Sequence, residues 1–227
     1  MGSEYKPQQF SRRKALAGSL AVGGTTWIAP SVLRLDRLAA AVGSCGVPPV
    51  RVDWTPLAGT FPTSVTANDG TVVTIASSDP FGVSDPTFQG MVWTNTLNSL
   101  DNPLLMAMED AINGQGTTIR FEFSRPVRAC FSLVDVDASN GNWIDTVEVT
   151  GTNAGSPVNL GAADMITGAD NTFLSTNTVR GVTPTNQATG NVAVSFPAEI
   201  DQLVIEHRDD STSPAFQFIG IHDLSWC

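Results

Sequence analysis

Ile119, Phe121 and Phe123 fall on one face of an extended chain, and Val127, Ala129, Phe131 and Leu133 on one face of the stretch that follows. Alternation with a period of two presses one side of a strand onto a core and leaves the other side to water; a helix cannot bury such a pattern. Short runs rich in Val, Ile, Phe and Thr recur around this region: Val50 to Trp54, Thr71 to Ala76, Met91 to Thr94, Thr146 to Thr150, Val192 to Phe196, Gln202 to Glu206 and Phe216 to Trp226. Gly, Pro, Asn and Asp punctuate them. Strands of this length and spacing predict an all-β, antiparallel, jelly-roll-like sandwich. Ser124-Arg125-Pro126 reads as the connection of a hairpin between the two best-marked strands. Leu104 to Ile112 is ambiguous, because Leu104, Met108 and Ile112 recur at helical spacing while Leu105 and Ala107 alternate.

The first 41 residues belong to a different class. Arg12 and Arg13 precede a weakly apolar run, Ala15 to Val32, that ends in Ala39-Ala40-Ala41. A basic start, an apolar middle and a small-residue cleavage site make a secretory signal, and Gly18, Gly23, Gly24, Thr25, Thr26 and Pro30 make the run too polar for a stable membrane anchor. Ser11-Arg12-Arg13-Lys14-Ala15-Leu16 resembles a twin-arginine (Tat) signal peptide. That resemblance implies passage through the Tat translocase, folding before export, and a secreted or cell-surface domain over 42–227 with no transmembrane segment in the mature protein. A second reading takes Val42-Gly43-Ser44-Cys45 as a lipobox with Cys45 lipidated.

After residue 41 the chain carries six arginines and no lysine against twenty acids, a formal charge of −14. Such a surface repels phosphate backbones and argues against a nucleic-acid partner. Without lysine the domain forms no Schiff base and has no P-loop lysine. With no internal repeat and no low-complexity tract, it reads as one domain.

Cys45 and Cys227 bracket this domain, and in an oxidising compartment their pairing would tie the first strand to the last. Closing so long a loop removes roughly 5 kcal/mol of unfolded-chain entropy in the simple model. Cys130 then reads as a buried structural thiol, with pairing to either end left open.

Thr118-Ile119-Arg120-Phe121-Glu122-Phe123-Ser124-Arg125-Pro126-Val127, Phe131-Ser132-Leu133-Val134-Asp135-Val136-Asp137, Asp145-Thr146-Val147-Glu148-Val149-Thr150-Gly151 and the closing Ile219-Gly220-Ile221-His222-Asp223-Leu224-Ser225-Trp226 resemble exported bacterial jelly-roll domains of the choice-of-anchor kind, themselves similar to carbohydrate-binding modules. The resemblance implies a fold and an extracellular setting. It carries over no catalytic residue. The chain ends at Cys227 without a sortase motif or terminal membrane helix, and free secretion is the expectation.

Chemistry concentrates in the loop from Asp135 to Asp145. Asp135, Asp137 and Asp145 supply carboxylates, Ser139 and Asn140 further oxygens, and Gly141 a sharp turn, as in chains that wrap a hard cation; a structural calcium is the candidate cofactor. An EF-hand template fails, because Thr146 stands where the bidentate Glu belongs. Trp143, flanked by Asn140 and Asn142, is the tryptophan best placed to be exposed, and an aromatic face beside amides and carboxylates suits a saccharide. Trp226 reads as core. His207 and His222 are the imidazoles, each near an acid in sequence, but no Gly-x-Ser-x-Gly accompanies them and nothing gives zinc spacing. The sequence therefore predicts a secreted, non-enzymatic binding protein with an extracellular glycan or surface protein as partner. The alternatives are a structural or adhesive surface protein and a hydrolase working through acids.

Overall fold

The computed structural model describes residues 50–226 apart from Asn140, Gly141 and Asn186. The signal segment 1–41, Asn140, and Cys45 with Cys227 lie outside the described residues, and with them the Tat, lipidation and disulfide expectations.

The strands are, in chain order, β1 (Val50–Arg51), β2 (Ser64–Thr66), β3 (Val72–Ser78), β4 (Thr96–Leu97), β5 (Leu100–Asp101), β6 (Leu104–Ala111), β7 (Gln115–Val127), β8 (Ala129–Val134) and β9 (Ala138–Ser139). They continue as β10 (Trp143–Asn153), β11 (Ser156–Val158), β12 (Met165–Thr167), β13 (Asn171–Phe173), β14 (Thr178–Gly181), β15 (Val192–Ser195), β16 (Ile200–Asp209) and β17 (Ala215–Trp226). One sheet runs β1-β17-β8-β15-β12 with β6 also on β17; the other runs β13-β14-β10-β16-β7-β3-β2 with β9 and β11 on β10. Neighbouring strands are antiparallel throughout both sheets. Among the described residues no helix is long and apolar enough to cross a membrane.

The sandwich core follows the alternation. Ile119, Phe121, Val147, Val149, Leu203 and Ile205 from one sheet meet Phe131, Leu133, Val192, Val194, Ile219 and Ile221 from the other, and all are buried. A second apolar layer lies outside β17 and β6, where Leu97, Leu105, Phe216 and Phe218 pack with Phe88 and Trp93. Its rings meet edge-on, Phe88 to Trp93 at 5.6 Å and Phe88 to Phe216 at 5.8 Å, the arrangement aromatic quadrupoles favour.

Three local expectations are settled or corrected. Ser124-Arg125-Pro126 is not a hairpin: β7 continues through it to Val127 and pairs with β3 and β16, whereas β8 pairs with β15 and β17 in the opposite sheet. The chain crosses over the core edge at Arg128, so Phe123, Val127, Ala129 and Phe131 all stay buried. Leu104 to Ala111 is a strand on β17. Its residues Leu104 to Met108 are all buried because both faces are covered, which erases the alternation that marks a half-exposed strand. Met91 to Thr94 forms no strand; Val92 makes a single bridge to Leu104.

Gln217 faces this core fully buried, and neither Oε1 nor Nε2 meets a hydrogen-bond partner among the described residues. A buried amide of that kind costs about 1–3 kcal/mol. Gln217→Met is expected to raise stability by roughly 1–2 kcal/mol, which at this size is roughly a 2–8 °C rise in Tm by calorimetry. A fall in Tm would mean that the amide is engaged.

The chain ends are held by side chains as well as by the ladder. Val50 pairs with Trp226, and Val52 N–H donates to Leu224 O at 2.8 Å. The Trp226 indole N–H donates to Asp69 Oδ2 at 3.2 Å, and Arg125 pairs with the same oxygen. Burial works to raise the Asp69 pKa, but the Thr71 N–H, the Arg125 guanidinium, the Trp226 indole and the Thr71 hydroxyl outweigh it and hold the carboxyl well below the usual carboxylate range. A depressed folded pKa gives stability that is present above the unfolded value, about 3.9, and fades as pH falls toward the folded one. Asp69→Asn is therefore expected to lower Tm by a constant gap at neutral pH and to close that gap below about pH 4. A gap that widens in acid would contradict the assignment. Cys130 is a free thiol buried on β8; burial pushes its pKa up, opposed in part by the Ser195 hydroxyl 3.3 Å from Sγ and by Arg128.

Candidate functional site

The loop between β8 and β10 closes one end of the sandwich. After Val134 the chain leaves β17, and Asp135 takes φ +67°, a left-handed conformation that Asp tolerates better than most residues. Its carboxylate accepts Asn98 Nδ2 at 3.2 Å, and its N–H donates to Asn191 Oδ1 at 3.4 Å. Two residues on, Asp137 is 2% exposed. Its Oδ1 accepts the Trp143 indole N–H at 2.8 Å and its Oδ2 the Thr185 N–H at 3.0 Å. The backbone here is clamped: Ala138 N–H donates to Thr183 O, and β14 passes so close that a Cβ at Gly181 would lie 2.2 Å from Asp137 backbone atoms. Only glycine fits there.

Asp145 continues the inward face of β10. Its Oδ2 accepts the Asp137 N–H at 3.0 Å and its Oδ1 meets His207 Nε2 at 2.9 Å, with both side chains fully buried. With Asp145 ionised, Nε2 carries the proton and donates. Asp209 stands directly opposite Asp145 in the ladder, also fully buried. It accepts the Ile144 N–H at 3.0 Å, the Ser211 N–H at 2.8 Å and the Ser211 hydroxyl at 3.0 Å. The Ser211 hydroxyl also lies 3.2 Å from Asn142 O. Backbone and side-chain donors thus compensate two carboxylates that would otherwise repel at close range.

Of the residues singled out from the sequence, the structure brings Asp137, Asp145, Asn142 and Trp143 together. Asn142 is exposed at the loop tip, with its N–H on Ser139 O, and Trp143 is half-buried beside it. Asp135 points to Asn98 instead of joining Asp137. Among the described residues no group of three or more His, Cys, Asp or Glu side chains is placed to hold a metal ion. Each of the three carboxylates expected to cage calcium accepts an N–H group of the fold: Asp135 from Asn98, Asp137 from Trp143 and Thr185, and Asp145 from the Asp137 backbone. The residues that sequence reasoning did not connect to the loop are His207, Asp209, Ser211 and Thr185. His207 stands next to Asp209 in its own strand yet bonds Asp145 across the ladder. The available signal was its place on the inward series Leu203, Ile205, His207, Asp209.

The Asp145–His207 pair is sealed from solvent, while the indole of Trp143 is held edge-on by a buried acceptor and keeps part of its ring at the surface.

No protein-family model and no curated protein matches the chain. Among solved structures it is similar to a CBM32 module, of AlyQ, in complex with 4,5-unsaturated mannuronic acid, at 11% sequence identity and a TM-score of 0.32, covering 65% of this chain and 92% of that one.

Proposed function

We propose that this chain is an exported, non-catalytic β-sandwich module that binds extracellular glycan on the loop carrying Trp143. The observation behind this reading is the 2.8 Å bond from the Trp143 indole N–H to the buried Asp137 carboxylate. A charge-assisted bond to a residue that cannot move fixes the ring before any ligand arrives, so stacking a sugar face on it costs little conformational entropy. The exposed Asn142 and the Ser139 hydroxyl at the rim supply the donors and acceptors that sugar hydroxyls need. Export rests on the Ser11-Arg12-Arg13 segment. Burial of the Asp145–His207 pair supports the non-catalytic part, since no substrate reaches a fully enclosed imidazole.

The test is a glycan array probed with the exported protein and with Trp143→Ala. Loss of a central aromatic anchor is expected to weaken binding by roughly 30-fold or more, about 2 kcal/mol, with an unchanged circular dichroism spectrum. Equal binding by both proteins would remove Trp143 from the site.

A second reading, contact with another protein, is favoured by one feature. Phe173, Leu174 and Val182 are 43%, 53% and 46% exposed along the β13–β14 edge, and short apolar edges are places where chains associate. An empty array together with concentration-dependent sedimentation, abolished by Phe173→Ser, would favour it.

A further inference from the structure

The outer layer over β17 stops short of its C-terminal end. Phe216, Phe218 and Gly220 point into that layer; a Cβ on Gly220 would meet Pro103 and Leu97. His222, next on the same face, is only half-buried. There, Arg51, Asp53, Trp54, Thr55, Asp101 and His222 line a cavity of about 150 Å³. It lies between the first described segment and the open end of the β4–β5 hairpin, where Asp101 pairs with Thr96.

Three properties define what fits. The first is size: about 150 Å³, open to solvent between the exposed Arg51, Asp53, Thr55 and Asp101, is on the scale of one six-membered ring. The second is the polar lining. A guanidinium, an imidazole and an indole N–H donate, two carboxylates accept, and a hydroxyl does both, which matches a ligand whose every polar group both donates and accepts. Turn bonds fix the carboxylates: Asp53 Oδ1 accepts the Thr55 N–H at 3.0 Å, and Asp101 accepts the Thr96 hydroxyl. The third is Trp54, which is 4% exposed and whose Nε1–H meets no acceptor among the described residues. Buried N–H groups without an acceptor are rare, and an oxygen in the cavity would supply one. Asp53, Asp101 and His222 are not grouped as metal ligands.

We propose that this cavity is a second binding site, taking one pyranose unit whose hydroxyls donate to Asp53 and Asp101 and whose oxygens accept from Arg51 and Trp54. The saccharide class rests on the function proposed above; the cavity and its unpaired indole do not.

The experiment is a titration of the ¹⁵N-labelled chain with methyl pyranosides of glucose, galactose, mannose and N-acetylglucosamine at millimolar concentration, followed at the indole N–H signals. At least one is expected to shift the Trp54 signal saturably. Asp101→Asn and Asp53→Asn, both at exposed positions, are each expected to weaken that response by about tenfold. Trp143→Ala, tested in parallel, is expected to leave it in place. A response to the methyl glycoside equal to that of the matching trisaccharide would identify a free sugar as sufficient, and a response to the trisaccharide alone would identify a chain end; both support the site. No shift at Trp54 while array glycans still bind through Trp143 overturns the cavity and spares the function. A Trp54 shift untouched by either acid variant also overturns it. Silence both at Trp54 and on the array removes the two together.

Discussion

Asp145→Ala is expected to cost about 3–5 kcal/mol of folding stability, the range for deleting one member of a buried hydrogen-bonded pair. The carboxylate serves two donors that water cannot reach once it is gone. His207 Nε2, 2.9 Å away on a fully buried ring, loses its acceptor, and so does the Asp137 N–H at 3.0 Å. Each orphaned donor costs about 1–3 kcal/mol, which brings the sum into the same range. At roughly 2–4 °C per kcal/mol for a domain of this size, Tm should fall by roughly 6–20 °C. A double-mutant cycle separates the pair from its surroundings. The variant carrying Asp145→Val and His207→Phe should cost less than the sum of its single substitutions, because it leaves no imidazole without an acceptor. A loss below about 1 kcal/mol for Asp145→Ala would mean that the pair does not hold the loop.

Trp226→Ala is the second large effect, again about 3–5 kcal/mol. The indole is fully buried, meets Phe123 edge-on at 5.7 Å and 78°, and donates to Asp69. Removing it opens a cavity at the place where β1 joins β17, so the loss should be uneven. The Val52 amide, which bonds Leu224 O, is expected to exchange with deuterium much faster, while amides in the β10–β16 ladder change only as far as global stability falls. Equal acceleration at both places would contradict a local role in holding the chain end.

The architecture was legible wherever one face of a strand meets water. Ile119, Phe121 and Phe123 declare the sandwich because their neighbours are polar. Parity is silent on which sheet a strand enters. A chain that turns back and a chain that crosses over the core edge can both keep Val127 and Ala129 inward, so the sequence alone reads Ser124-Arg125-Pro126 as a hairpin where the structure has a crossing at Arg128. Leu104 to Ile112 is ambiguous for the opposite reason, since a strand covered on both faces, as Leu104 to Met108 is, has no alternation to show.

The site was legible as a loop and illegible as a network. Asp135 and Asp137 stand at alternate positions and look like partners, but the left-handed turn at Asp135 breaks the alternation and sends its side chain to Asn98. Asp145 and His207 are 62 positions apart and meet only through the β10–β16 register. Periodicity along the chain carries no information about such a register. What the sequence did offer was polar residues continuing an apolar inward series, at Asp145 before Val147 and Val149 and at His207 and Asp209 after Leu203 and Ile205.

The central claim is that the indole fixed on Asp137 is the surface a glycan stacks on. It is tested most directly by titrating an array-selected oligosaccharide into the ¹⁵N-labelled chain and following the indole N–H signals of Trp143 and Trp226. The account predicts a saturable shift at Trp143 that is lost in Asp137→Ala, with the buried Trp226 signal unmoved. Binding of the oligosaccharide with the Trp143 signal unchanged would contradict it.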